Sequence, residues 1–269
     1  MKIHAICSQG RVGDRTNRTS KGAVLTAKSF ESRYNLKAEY IGEYFPAKND
    51  NWRECLQEAQ GNLIKIRAAL ENRIAANDLI FVASNTCSAS LATLPVVAKH
   101  YPEAVILWFD AHGDFNTPET TNSGYLGGMV VAAVCGLWES GHGSGVSPDK
   151  IVLVGAHDID AEERELLRRS GVRVIPPGDV TPEAVLNCIG QAKVWIHVDW
   201  DVLEPGYIPA DYKVNGGKSI SQIQNVFSAI PVDQVLGFEF AEYQVPDDPT
   251  VQKSALSNIA ATFEALLNE

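Results

Sequence analysis

Eight short apolar runs, rich in Val, Ile and Leu, recur along the chain, with longer helix-period segments between them. The runs at 2–7, 37–41, 79–83, 104–109, 151–154, 172–175, 194–198 and 235–240 read as strands. The segments at 21–33, 52–75, 88–100, 125–137, 161–170, 182–190, 220–230 and 250–267 read as helices. A strand that is apolar on both faces is one that helices cover on both sides. Strand–helix alternation from end to end then means an α/β fold, a mainly parallel sheet inside a three-layer α/β/α sandwich. Nothing rich in Pro, Gly and Ser divides the chain, so residues 1–269 are expected to form a single domain.

Bulk properties exclude several function classes. A formal net charge of −10 disfavours nucleic acid and anionic membrane surfaces as partners. The longest apolar run, near 129–138, is too short to span a bilayer. Residues 1–11 lack the apolar core of a signal peptide. The five cysteines are odd in number and form no CxxC pair, which points to a reducing, cytoplasmic compartment.

In parallel sheets of this kind the ligand sits at the carboxyl ends of the strands. Four strand ends carry unusual residues. The run 104–109 ends in Asp110, His112 and Asp114; on an extended segment these alternate residues project to one side as a metal half-site. The run 194–198 ends in Asp199 and Asp201, again two apart. So much buried negative charge requires neutralisation, and two divalent cations would supply it. Oxygen-rich ligation favours Mn2+ over Zn2+. The run 79–83 leads to Cys87 at a strand-to-helix junction, which suits a metal ligand, a thiol nucleophile or simple packing; its company puts ligation first. The run 235–240 leads to Glu242, which suits either a guanidinium partner or a solvated acid. His197 shares a strand side with Asp199 and reads equally as a support for the site or as core. Cys7, Cys55, Cys135 and Cys188 read as buried small residues.

Three segments together resemble the arginase/agmatinase (ureohydrolase) family: WFDAHGDFNTPETTNSGYLGG, HVDWDVLEPGYIPA and FEFAEYQVP. The resemblance implies an eight-stranded parallel sheet, in agreement with the strand count. It implies that Asp110 and Asp199 bridge two manganese ions, that Asp114 binds one ion, and that His112 and Asp201 bind the other. It places Glu242 on the substrate guanidinium, Asn116 and Ser123 on an α-carboxylate, and Asp160 on an α-amino group. It leaves homo-oligomerisation open. Tyr125 and Lys213 fall in recognition loops whose contacts the sequence does not fix.

Two positions depart from the family pattern. Cys87 stands where a metal-binding His belongs, and Gly127 where the family has a His given a proton-transfer role. With SQGRVGDR, NTCSASLATLPVVA and WDVLEPG, these departures resemble a specialised subgroup of antibiotic (D-cycloserine) biosynthesis, which hydrolyses Nω-hydroxy-L-arginine to hydroxyurea and L-ornithine. A two-metal site implies a bridging hydroxide that attacks the guanidine carbon, with Asp114 as the proton shuttle and Glu242 as the orienting acid. The rivals are a plain arginase, agmatinase or guanidino-acid hydrolase, a thiol enzyme with Cys87 as nucleophile and His112 as its base, and a non-catalytic relative.

Overall fold

Every one of the eight apolar runs becomes a strand of one sheet: β1 Ile3–Ser8, β2 Ala38–Ile41, β3 Leu79–Ala83, β4 Val105–Phe109, β5 Ile151–Val154, β6 Arg173–Ile175, β7 Val194–Asp199 and β8 Val235–Ala241. This computed structural model describes residues 2–267 apart from 75 and 77. The strand order is β2-β1-β3-β8-β7-β4-β5-β6, and every pairing is parallel. The chain builds outward to β6 and then returns to insert β7 and β8 in the middle.

Among the described residues, eight α-helices cover the sheet: α1 Asn17–Tyr34, α2 Trp52–Ile74, α3 Ser90–His100, α4 Val130–Val134, α5 Ala161–Ser170, α6 Pro182–Ile189, α7 Ile220–Ala229 and α8 Pro249–Leu267. Successive strand side chains point to opposite faces, so each strand feeds two cores. Ile80, Val82, Ile106 and Trp108 pack with Leu63 of α2, Leu91 of α3, Val131 of α4 and Leu167 of α5. Phe81, Leu107 and Phe109 pack with Phe30 of α1, Val185 of α6, Phe227 of α7 and Phe263 of α8. The second core has an aromatic centre, with Phe30 stacked on Phe81 at 4.2 Å and Phe238 tilted against Phe263 at 4.8 Å. One glycine is forced by this packing. A Cβ on Gly237 of β8 would lie 2.5 Å from Cζ3 of Trp195 and 2.8 Å from the Ile80 carbonyl, beside the register shift in β7.

Several boundaries differ from the sequence reading for local reasons. Helix α1 begins at Asn17, because the Thr16 hydroxyl caps it by accepting from the Arg18 amide. The helix expected over 52–75 is seen to Ile74; residue 75 lies outside the described residues. The helix expected over 88–100 opens with a 3-10 turn at Cys87–Ala89. The helix expected over 125–137 shrinks to a 3-10 turn at Gly127–Met129 followed by Val130–Val134. Paired glycines at 127 and 128 offer little helix propensity there, and the preceding loop runs into the site. Cys135 and Cys188 are only half-buried, unlike Cys7 and Cys55.

Candidate active site

Strands β3, β8, β7 and β4 lie side by side at the centre of the sheet, and the four unusual strand ends are theirs. The return of the chain to insert β7 and β8 therefore brings Cys87, Glu242, Asp199, Asp201, Asp110, His112 and Asp114 to one place. Beside them is a cavity of about 180 Å3, lined among others by Cys87, His112, Asp114, Asn116, Ser123, Asp160, Asp199 and Glu242. Asp110 and Asp201 lie behind it, 1% and 3% exposed.

The mode of convergence corrects the sequence reading of both aspartate motifs. After β4 the chain does not stay extended: Ala111 and His112 form a bend, and Asp114 has φ 48°. His112 and Asp114 accordingly serve different sides of Asp110 instead of sharing one. Ligand atoms of Cys87, Asp110 and Asp114 lie within 4.8 Å of one another, and so do those of Asp110, His112 and Asp201. After β7 the chain turns into a 3-10 helix at Trp200–Val202, and the Asp201 amide donates to Asp199 Oδ1 at 2.9 Å. Glu242 has φ 63°, and its amide donates to the Asn85 carbonyl at 3.3 Å. Left-handed backbone costs a non-glycine residue about 1–2 kcal/mol. Two such residues aimed into one cavity are held there by their surroundings.

The electrostatics show what this cluster needs. His112 Nδ1 lies 3.0 Å from Asp201 Oδ2 and 3.3 Å from Asp110 Oδ1. Burial opposes charge on His112, but hydrogen bonds to Asp110 and Asp201 outweigh it and raise its pKa above the ordinary value. Burial likewise opposes ionisation of Asp110, yet the hydrogen bond and charge of His112 hold that carboxyl below its usual range. The other acids are pushed up, first by burial and then by one another: Asp114 and Asp199 well above the usual range, Asp201 to about 6. Burial also raises Glu242 to about 8 and the Cys87 thiol well above its ordinary value. Asp114 Oδ2 is buried without a hydrogen-bond partner among the described residues. A carboxylate oxygen in that state, among acids that resist ionising together, fits a divalent cation.

At the open end, Asn116 Oδ1 accepts from Thr120, and Asp160 stands at the start of α5 without a side-chain capping bond, with Asn122 Nδ2 3.5 Å from its carboxylate. Lys213 is exposed and does not line the cavity. Tyr125, Asp158, Glu163 and Tyr212 also line it, and sequence reasoning did not select them as site residues. Tyr125 donates to Glu242 Oε1 at 2.8 Å. Glu163 is 3% exposed, burial pushes its carboxyl to about 7, and it accepts from the Phe115 amide at 2.8 Å. Its distinguishing signal is weak, since Glu162 and Glu165 flank it on the same helix.

His197 serves as a support for the site. It is fully buried and stacked on Trp108 at 3.5 Å, with Nδ1 2.9 Å from Glu239 and Nε2 3.3 Å from Cys87 Sγ. Glu239 also accepts from Ser90, Thr93 and Trp195. The imidazole beside the thiol is thus His197 and not His112, which faces Asp110 and Asp201.

The chain is similar in sequence and fold to known proteins. A 267-residue alignment gives 52% identity to the N(omega)-hydroxy-L-arginine amidinohydrolase of Streptomyces lavendulae, covering 98% of each chain. The arginase of Bacillus caldovelox is 33% identical over 116 residues, which is 41% of this chain and 39% of that enzyme. Among solved structures, the arginase of Bacillus subtilis superposes with a TM-score of 0.85 at 24% identity, covering 100% of this chain and 99% of that one. The proclavaminate amidino hydrolase of Streptomyces clavuligerus gives 0.74 at 17% identity, covering 98% and 91%. The profile of the arginase family matches residues 23–267, and the chain belongs to that family.

Proposed function

We propose that this chain, working as a single catalytic domain, hydrolyses Nω-hydroxy-L-arginine to hydroxyurea and L-ornithine at a site for two Mn2+ ions. The observation that carries the metal reading is the buried convergence of Cys87, Asp110, His112, Asp114, Asp199 and Asp201, with Asp114 Oδ2 left unpartnered. The substrate reading is supported by the 52% identity, over nearly full length, to a relative named for that substrate. Cys87, Asp110 and Asp114 would hold one cation, Asp110, His112 and Asp201 the other, with Asp199 contributing between them. Bound there, the cations would neutralise the acids and make a water acidic enough to act as nucleophile near neutral pH. Oxygen-rich ligation favours Mn2+, and the softer Cys87 thiolate makes its own position the weaker one. Free thiols suit a reducing, cytoplasmic setting.

The remaining steps belong to the protein. Asn116 and Ser123 receive the α-carboxylate and Asp160 the α-amino group, which aligns the guanidine end with the acids. Glu242 orients that end and offsets its positive charge. Asp114 accepts, on the oxygen not engaged by a cation, the proton released by the attacking water and returns it to the departing ornithine nitrogen. One observation favours a second reading: the line Cys87–His197–Glu239 also suits a thiol nucleophile. Hydroxyurea release from Nω-hydroxy-L-arginine, with L-arginine compared and a chelated control, tests both. Turnover that chelation abolishes supports the metal reading. Turnover that survives chelation and dies on thiol alkylation supports the thiol, and a preference for L-arginine contradicts the proposed substrate.

A further inference from the structure

Position 127 has no side chain, and the structure shows what fills that space. A Cβ built on Gly127 would lie 2.9 Å from Cζ and 3.1 Å from Cδ1 of Tyr125, and closer still to Cε1. The ring is not free to swing aside. Its hydroxyl donates to Glu242 Oε1 at 2.8 Å, and the Arg15 guanidinium sits 4.7 Å over its centroid. Arg15 is itself held by the Ser123 carbonyl at 3.0 Å. Positions 125 and 127 are therefore mutually exclusive: the tyrosine as placed leaves no room for any side chain two residues on.

The same hydroxyl changes what Glu242 can offer. Oε1 accepts from Tyr125 and also from the Cys87 amide at 3.2 Å. A carboxylate oxygen has about two lone-pair sites, so both sites of Oε1 are taken. Only Oε2 remains for the substrate. The bidentate pairing that a carboxylate makes with a guanidinium needs both oxygens, and here it is blocked. The phenol oxygen, whose O–H bonds to Glu242, still has acceptor capacity, and Tyr125 lines the cavity. A hydroxyl on the guanidine nitrogen can donate to it, and an unsubstituted guanidinium loses its two-pronged clamp without that return.

We propose that Tyr125 is the specificity-determining residue of this pocket, filling the space of a side chain at 127 and occupying Glu242 Oε1 so that N-hydroxylated guanidines are preferred over unsubstituted ones. This inference rests on the proposed amidinohydrolase function. Its space-filling half is separately measurable.

The experiment uses the Mn2+-loaded chain as wild type, Tyr125→Phe, Tyr125→Ala, Gly127→Ala and the Tyr125→Ala/Gly127→Ala double variant. Kinetics on Nω-hydroxy-L-arginine and L-arginine are read alongside thermal midpoints and bound manganese. Tyr125→Phe keeps the ring and frees one of the two acceptor sites on Oε1. The ratio of kcat/KM for the hydroxylated over the plain substrate should fall at least tenfold, mainly through KM. Gly127→Ala should lower both the midpoint and hydroxyarginine turnover in the wild-type background and do neither in the Tyr125→Ala background. An unchanged selectivity ratio in Tyr125→Phe overturns the specificity role. Equal effects of Gly127→Ala in the two backgrounds overturn the space-filling role. A wild type that uses L-arginine and not Nω-hydroxy-L-arginine, with the 125–127 coupling in the midpoints intact, overturns the functional reading and leaves the steric exclusion standing.

Discussion

Chelating the divalent cation should reverse the sign of the protein's pH–stability slope. Asp201 and Glu242 are ordinary carboxyls when unfolded, but burial among like charges lifts them to about 6 and about 8 when folded without a cation. An acid whose folded pKa is raised contributes stability that is complete below its unfolded pKa. That stability is lost as pH rises through the folded pKa. For Asp201, a rise from 3.8 to about 6 corresponds to about 3 kcal/mol. About half of that loss falls above pH 5, enough to lower the thermal midpoint of a chain this long by roughly 3–5 °C. Glu242 extends the loss toward pH 8, although two coupled acids do not add as independent terms. With Mn2+ in excess Asp201 and the other ligating acids must be deprotonated to bind, so folding takes up the cation and releases protons, and stability rises with pH. The assay is a set of thermal or denaturant melts from pH 5 to 8.5 in excess chelator and in excess Mn2+. The midpoint should fall with pH in the first series and rise in the second. Parallel curves would refute the view that these acids are held together for a cation.

Three further outcomes follow from single contacts. Glu242→Gln keeps an acceptor for Tyr125 and the Cys87 amide but removes the charge that faces the guanidine, so kcat/KM on the hydroxylated substrate should drop about a hundredfold or more, or roughly 3 kcal/mol, while bound manganese is unchanged. Asp160→Ala should raise KM for Nω-hydroxy-L-arginine with little effect on kcat, because it removes a contact to the part of the substrate that does not react. Gly237→Ala drives a methyl group into Trp195 and the Ile80 carbonyl, and denaturant melts should show a loss of about 1–3 kcal/mol.

The sheet was legible because its strands are buried on both faces. The runs at Leu79–Ala83 and Ile151–Val154 end where their apolar residues end. The strand-end rule then led to Cys87, Asp110, Asp199 and Glu242 without any knowledge of strand order. Period-two alternation could not show how those residues meet. Asp114 and Glu242 depend on left-handed backbone that only the folded loops enforce, and Asp201 depends on a 3-10 turn capped by Asp199. Glu163 was hidden because its neighbours on α5 are also acidic, and burial depends on which face of that helix meets the site. The sequence showed Gly127 as a missing side chain, whereas the folded chain shows the ring of Tyr125 in its place. His197 was ambiguous for a related reason: strand parity gives its face, but only the pairing of β7 with β8, which sets it opposite Glu239, and the 3-10 turn that carries Cys87 give it these partners.

The most direct test of the two-cation account is a crystal structure of the Mn2+-loaded chain with anomalous scattering recorded for manganese. The account predicts two peaks, one bounded by Cys87, Asp110 and Asp114 and the other by Asp110, His112 and Asp201, with the Cys87 sulfur turned toward the first. A single peak or none, or a Cys87 sulfur turned away from the metal toward an open cavity, would contradict it.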